Sequence, residues 1–210
     1  ELFSMAESKN LILMEAIKTA YATAFSRLLL LVKAGKIGKI ISVDATCTSL
    51  KRDRTDWPGI YEWGPTALLP IFELLGSDLD ARTVLFQTQE RADIFAKMDF
   101  ISKDAVACAK VGDGVKSEGE LIISGTKGYA YVPAPWWKPD YFELRYEDQS
   151  ENRRYFYQLD GEGIRYELVA FARAVERGKA ISNIKFETTK RISKTLQKII
   201  QLENCTVIRK

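Results

Sequence analysis

The sequence contains no histidine, so histidine general bases, histidine metal ligands and Ser-His-Asp triads are excluded together. Proton chemistry must then rest on carboxylates, lysines and hydroxyls. Glu62 falls in the first turn of a predicted helix over 61–75. A carboxylate there complements the helix macrodipole, and it can also face a pocket. Lys18 stands between an apolar run and a helix, where a lysine either projects into a pocket or is solvated. The stretch Pro133-Ala134-Pro135-Trp136-Trp137-Lys138-Pro139 places two tryptophans side by side. Trp136 and Trp137 can form a platform that stacks on a sugar ring. They can equally cap the edge of a sheet or fill a subunit contact. Cys47, Cys108 and Cys205 lie far apart and build neither a disulfide framework nor a CxxC zinc pattern. Reduced, structural thiols in a cytoplasmic protein are expected.

The surroundings of these residues are ordinary. The chain has 210 residues, a formal charge of +3, 46% hydrophobic and 28% charged residues. This composition excludes a disordered tail, a collagen-like fibre and a strongly basic nucleic-acid binder. The cations of the last predicted helix, Lys190, Arg191, Lys194 and Lys198, are interspersed with acids and read as a solvated face, so no nucleic-acid partner is expected. The longest fully apolar run is 28–32, far short of the roughly 20 residues that cross a bilayer, and no membrane association is expected. No glycine-rich nucleotide loop follows any predicted strand, so no cofactor site is expected within this chain. The first residues, Glu1-Leu2-Phe3-Ser4-Met5, start in what reads as the middle of an element, as a piece of something longer would.

The elements that must position the candidates follow from periodicity. Residues 4–10 read as the end of a helix and 11–14 as a short buried strand. A helix over 25–34 carries Phe25, Leu28, Leu29 and Val32 on one face, with Gly35 as its αL cap. A strand follows over 39–50, then the helix over 61–75. Short β-like runs at 83–86, 95–101, 105–111, 120–124, 129–132, 142–146 and 155–159 are separated by turn signals. Strand following strand at this spacing implies antiparallel pairing. Helical spacing returns with Ile164, Leu168, Phe171 and Val175, and again with Ile192, Leu196 and Ile199. The expected fold class is α+β: a large, mostly antiparallel open β-sheet with helices packed on one face. The uncovered face predicts a homodimer packed sheet to sheet, with the aromatic strands between Tyr129 and Tyr157 contributing.

Three segments, in this order, resemble a known family. They are Leu13-Met14-Glu15-Ala16 with the later Lys33-Ala34-Gly35-Lys36-Ile37-Gly38-Lys39-Ile40, then Glu62-Trp63-Gly64-Pro65-Thr66 running to Leu74-Leu75-Gly76, then Gly119-Glu120-Leu121-Ile122-Ile123-Ser124-Gly125-Thr126-Lys127-Gly128. Together they resemble the C-terminal, dihydrodipicolinate-reductase-like domain of the glucose–fructose oxidoreductase / inositol dehydrogenase / MocA (Gfo/Idh/MocA) family. The resemblance implies that residues 1–10 are the remnant of a connecting helix from an NAD(P)-binding domain. Residues 11–210 would be the substrate-binding and oligomerisation domain. NAD or NADP is implied for the full-length protein, and so is a lysine of an E-K-P motif that this sequence lacks.

The family's catalytic helix carries an Asp and, four residues on, a His or Tyr. Glu62 and Thr66 hold the matching positions. The four-residue step puts both on one helix face, but a threonine hydroxyl is no acid or base near neutral pH. Trp57-Pro58-Gly59-Ile60-Tyr61 stands where the family has a glycine run, and Ala20 and Thr23 stand near its Arg and Pro. Lys18, Trp63, Trp136 and Trp137 are the substrate-binding candidates. The expected function is substrate binding and oligomerisation in an NAD(P)-dependent oxidoreductase acting on a sugar or polyol-like small molecule, incomplete as this chain. The alternative is a non-catalytic binding or assembly module that kept the fold.

Overall fold

The computed structural model describes residues 1–50, 59–76, 79–88, 91–180 and 182–209. Trp57 and Pro58, part of the stretch that replaces the glycine run, lie outside the described residues. Helix α1 (Leu2–Ser8) leads into an extended stretch and a 3-10 turn at Lys18–Tyr21. Next come α2 (Thr23–Lys33), β1 (Ile40–Ser49) and α3 (Gly59–Leu75). A run of strands follows: β2 (Asp80–Thr88), β3 (Arg91–Ile101), β4 (Val106–Asp113), β5 (Leu121–Gly125), β6 (Tyr129–Val132), β7 (Tyr141–Arg145) and β8 (Arg153–Phe156). The chain closes with α4 (Ile164–Glu176), α5 (Phe186–Ile200) and β9 (Cys205–Arg209).

All the strands join one nine-stranded sheet in the order β8-β7-β6-β5-β1-β4-β3-β2-β9. Only β1 with β4 and β2 with β9 pair in parallel among the described residues. The other pairings are antiparallel. The class is α+β, as the sequence implies. The parallel contact arises because β2 and β3 fold back as a meander before β4 returns to the side of β1.

Strand alternation sorts the residues onto two faces. On one face Val43, Ala45 and Cys47 of β1 align with Ala107, Ala109 and Val111 of β4, all buried. Met98 and Phe100 continue this surface on β3, and Ile123, Ala130 and Leu144 on β5, β6 and β7. The alanines beneath α3 let the helix approach closely, so that Leu68, Leu69 and Ile71 are fully buried. Helix α5 packs on α3 with Ile192, Leu196 and Ile199, and its cations lie on the outer side. A buried carboxylate ties three helices: Glu73 accepts from Thr188 at 2.7 Å and from Lys33 at 3.2 Å. The other sheet face carries Asp44, Cys108, Asp99 and Lys97 in its middle, and no helix among the described residues covers it.

Two expectations are corrected. The run 11–14 is extended but pairs with no strand, because a strand needs a neighbour for its backbone groups and the described chain places none there. Strand β8 spans Arg153–Phe156 rather than 155–159, since pairing with the five residues of β7 sets its ends. Strand β9 was not foreseen: it is short and follows a helix with two left-handed residues, Leu202 and Asn204. The apolar stripe of α4 is helical as expected, yet it does not pack on the core. Ile164, Leu168, Phe171 and Val175 are all exposed, Leu168 by 61%. No helix among the described residues is long and apolar enough to cross a membrane.

Candidate functional site

A cavity of about 870 Å³ opens at the start of α3. Its walls come from the stretch 15–19, the end of β1, the first turns of α3, the end of β4, the loop 135–138 and the residues leading into α4. The tryptophan loop is fixed from both sides. Thr19 donates its hydroxyl to the Trp137 carbonyl at 2.8 Å. The indole N–H of Trp136 donates to the Thr46 carbonyl at 3.0 Å.

The two adjacent tryptophans therefore part company. Trp136 is fully buried, packs beside Phe25 with ring centroids 6.1 Å apart, and contributes to the core. Trp137 turns into the cavity and meets Trp63 of α3 edge to face, with centroids 5.0 Å apart and planes at 61°. Gly119 makes room for this ring. A Cβ at that position would lie 2.8 Å from the Trp137 indole.

Glu62 and Thr66 both line the cavity, one helical turn apart on α3. Pro70 has no N–H to give the Thr66 carbonyl, so the helix lacks that i+4 donor beside the site. Lys18 lines the cavity from the 3-10 turn. The structure thus brings together Lys18, Glu62, Trp63, Thr66 and Trp137, and leaves Trp136 outside.

Residues that the sequence reading passed over complete the site. Glu162 sits between two cations, 3.6 Å from the Lys18 ammonium and 2.5 Å from that of Lys138. Both lysines hold the Glu162 carboxyl below the usual carboxylate range, Lys138 most strongly. The backbone at Gly161, Glu162 and Gly163 is left-handed throughout, with φ of 55°, 56° and 90°. Only the flanking glycines adopt this freely, and Glu162 is held there against its preference. Glu15 and Glu167 also line the cavity. Burial pushes the Glu167 carboxyl up, with Glu15 adding to the rise and Lys18 opposing it. The signals were present in Gly-Glu-Gly, in Met-Glu-Ala and in the lysine after Trp137. Only the fold shows that they converge.

Crossed indoles, several carboxylates, two ammonium groups and a hydroxyl form a surface suited to a small, hydroxyl-rich molecule. Aromatic faces cover the C–H side of such a ring, and the carboxylates accept from its hydroxyls. No group of three His, Cys, Asp or Glu side chains among the described residues is placed to hold a metal ion.

No protein-family model matches the chain, and no curated protein matches its sequence. Solved structures do match. A 3-ketoreductase from Actinomadura kijaniata, solved with NADP and TDP-benzene, aligns over 100% of this chain and 67% of its own at 16% identity, with a TM-score of 0.82. A UDP-N-acetylglucosamine 3-dehydrogenase from Acidithiobacillus ferrooxidans aligns over 97% of this chain and 65% of its own at 16% identity, with a TM-score of 0.77. A dehydrogenase from Clostridium difficile aligns over 94% and 64% at 15% identity, with a TM-score of 0.74. The chain spans about two thirds of the length of these structures. From end to end, it has the fold of the C-terminal two thirds of Gfo/Idh/MocA-type dehydrogenases.

Proposed function

We propose that this chain is the substrate-binding and oligomerisation part of an NAD(P)-dependent oxidoreductase acting on a sugar or polyol-like compound. One observation carries the reading. Glu62 and Thr66 on one turn of α3, Lys18, and the crossed pair Trp63–Trp137 line a single cavity, on a fold shared with a ketoreductase and a sugar-nucleotide dehydrogenase. In this reading Trp63 and Trp137 flank the sugar ring. Glu62 and Thr66 hydrogen-bond a hydroxyl at the reacting carbon, and Lys18 contacts a neighbouring oxygen.

The residues present do not fit a dinucleotide. No strand–glycine loop–helix unit among the described residues offers backbone N–H groups to a pyrophosphate. NAD or NADP would be held by a separate domain, to which residues 1–10 connect and against which 11–210 pack. Two features support that contact. The run 11–14 has no ladder partner among the described residues, and the apolar stripe of α4 is uncovered. The helix-free sheet face would meet a second copy of the chain. Arg145 lies 4.4 Å above the Tyr131 ring on this face, and such aromatic–arginine surfaces suit protein contacts. The three free thiols are in keeping with a reducing compartment such as the cytoplasm.

Thr66 favours a second reading, a binding or assembly module that kept the fold, because its hydroxyl cannot exchange protons near neutral pH. The test is the intact mass of the natural protein with NADH and NADPH titrated into it by fluorescence, followed by turnover on a panel of sugars and polyols. A mass larger by the size of a typical domain, micromolar cofactor binding and turnover are expected. A mass near that of this chain, with no cofactor binding, overturns the oxidoreductase reading in favour of the module.

A further inference from the structure

The cavity at the start of α3 is acidic, although the chain as a whole is not. Five carboxylates line it, those of Glu15, Glu62, Asp113, Glu162 and Glu167, against the two ammonium groups of Lys18 and Lys138. The described lining residues thus carry a net charge of −3, in a chain whose formal charge is +3. Like charges gathered in one concave space repel one another, and a guest of opposite charge relieves them.

The carboxylates are not equally committed. Glu162 is held between Lys18 and Lys138, and Asp113 has a partner. The side chains of Glu15, Glu62 and Glu167 make no hydrogen bond or ion pair with another described residue. Their three charges exceed the single positive charge that Lys18, Lys138 and Glu162 leave over. Glu15 and Glu167 stand close enough that Glu15 adds to the rise of the Glu167 carboxyl, which burial already pushes up. No three acids among the described residues are placed to hold a metal ion.

The crossed indoles Trp63 and Trp137 line the same cavity, and indole is the side-chain ring that attracts a cation most strongly. A neutral sugar leaves the excess charge unanswered. Its hydroxyls donate hydrogen bonds, but they bring no positive charge to carboxylates that lose water around the guest. An ammonium group brings three donors and the charge together. The acylated amine of an N-acetyl sugar is an uncharged amide and lacks this advantage.

We propose that the compound held in this cavity is a sugar or polyol bearing a free, protonated amine, with its ammonium at Glu15 and Glu167 and its ring against Trp63 and Trp137. The proposal rests on the reading of the cavity as a sugar site, and it names the class of sugar.

The test is calorimetric titration of the intact natural protein at about pH 6.5, where an amine of this kind is protonated, in an amine-free buffer. The probes are glucosamine, galactosamine and mannosamine, each beside its neutral parent sugar and its N-acetyl derivative, and cyclohexylamine as a cation without hydroxyls. One amino sugar is expected to bind at least tenfold tighter than its parent and its N-acetyl derivative. Glu167→Gln and Glu15→Gln, with folding checked by melting curves, are each expected to weaken that amino sugar at least tenfold more than its parent. Two variants keep the test open if one fails to fold. A parent or N-acetyl sugar that binds as tightly as its amine overturns the proposal and leaves the sugar reading standing. So does an amino-sugar affinity indifferent to both substitutions. Cyclohexylamine binding as tightly as the best amino sugar overturns the sugar reading and the proposal with it, leaving a seat for a cation alone. No binding of any probe overturns both.

Discussion

Trp63 and Trp137 meet edge to face, 5.0 Å between centroids, although 74 positions separate them in the chain (137 − 63 = 74). The contact joins helix α3 to the loop after β6 and so fixes one wall of the cavity. An edge-to-face pair contributes about 0.5–1.5 kcal/mol beyond area burial. A double-mutant cycle with Trp63→Leu and Trp137→Leu, read by urea denaturation, is expected to return a coupling energy in that range. If a saccharide sits against both rings, as proposed, either single variant is expected to reduce the tryptophan fluorescence change on its binding. A coupling near zero means that the rings are neighbours without an energetic link.

Glu62 and Thr66 test the site against the helix. If Glu62 served only the macrodipole, replacing it by Gln would cost about 0.3–1 kcal/mol of stability and leave binding alone. If Glu62 instead serves the proposed site, the two effects are reversed. Glu62→Gln is expected to move stability by less than about 0.5 kcal/mol, as for exposed substitutions generally, and to weaken sugar binding or turnover at least tenfold. Thr66→Val keeps the shape of the side chain and removes its hydroxyl, so the same split is expected at smaller size. Thermal denaturation and ligand titration on the same samples separate the two effects.

The sequence made much of the scaffold legible, because its signals are local. The helices read over 25–34 and 61–75 and the strand runs between 39 and 146 follow from apolar periodicity and turn residues, and they fall on α2, α3 and β1 to β7 with ends shifted by a few residues. The Lys190–Lys198 face of α5 is solvated, as its charge pattern implies. Pairing-dependent features were not legible. Residues 11–14 have the composition of a buried strand, but composition cannot supply a neighbour. Trp136 and Trp137 are indistinguishable as residue types. What separates them is that one indole N–H reaches the Thr46 carbonyl, 90 residues away. Glu162 was missed for the same reason: its partners Lys18 and Lys138 come to it only through the fold. Its Gly-Glu-Gly setting in fact announces a left-handed turn.

The hairpin from β5 to β6 carries a steric prediction. The Lys127 N–H donates to the Ile37 carbonyl at 2.9 Å, and Gly125 lies so close to that carbonyl oxygen that an added Cβ would collide with it. The obstacle is backbone, which cannot swing aside as a side chain can. Gly125→Ala is expected to cost about 1–3 kcal/mol, the range for overpacking, seen as a lower urea midpoint with an unchanged slope. Gly35→Ala, where a Cβ meets nothing within 4 Å but φ is +75°, costs about 1 kcal/mol through backbone strain alone. Equal losses at the two sites would show that crowding at Gly125 is relieved by movement of the turn.

Two carboxylates should respond to acid in opposite directions. Glu143 is desolvated in the sheet, which raises its pKa, but Arg145 and Arg154 bond to it and bring it below the ordinary carboxylate range. A carboxyl depressed in the folded state contributes stability above its unfolded value and loses it as pH falls through the folded one. Glu143→Gln is therefore expected to lower the melting temperature at pH 7, with the deficit shrinking below about pH 4. Glu167 is shifted the other way. Burial raises its carboxyl more than Lys18 lowers it, and Glu15 adds a smaller rise. A raised carboxyl favours folding below its unfolded value, and that contribution disappears as pH rises through the folded one. At pH 7 the ionised Glu167 is thus a cost, and Glu167→Gln is expected to hold or raise the melting temperature there and to lose the advantage near pH 4. Melting curves of both variants and the parent between pH 3 and 8 check the pair. If Glu167→Gln melts lower at pH 7, the attraction of Lys18 for its carboxylate outweighs the cost of burying it.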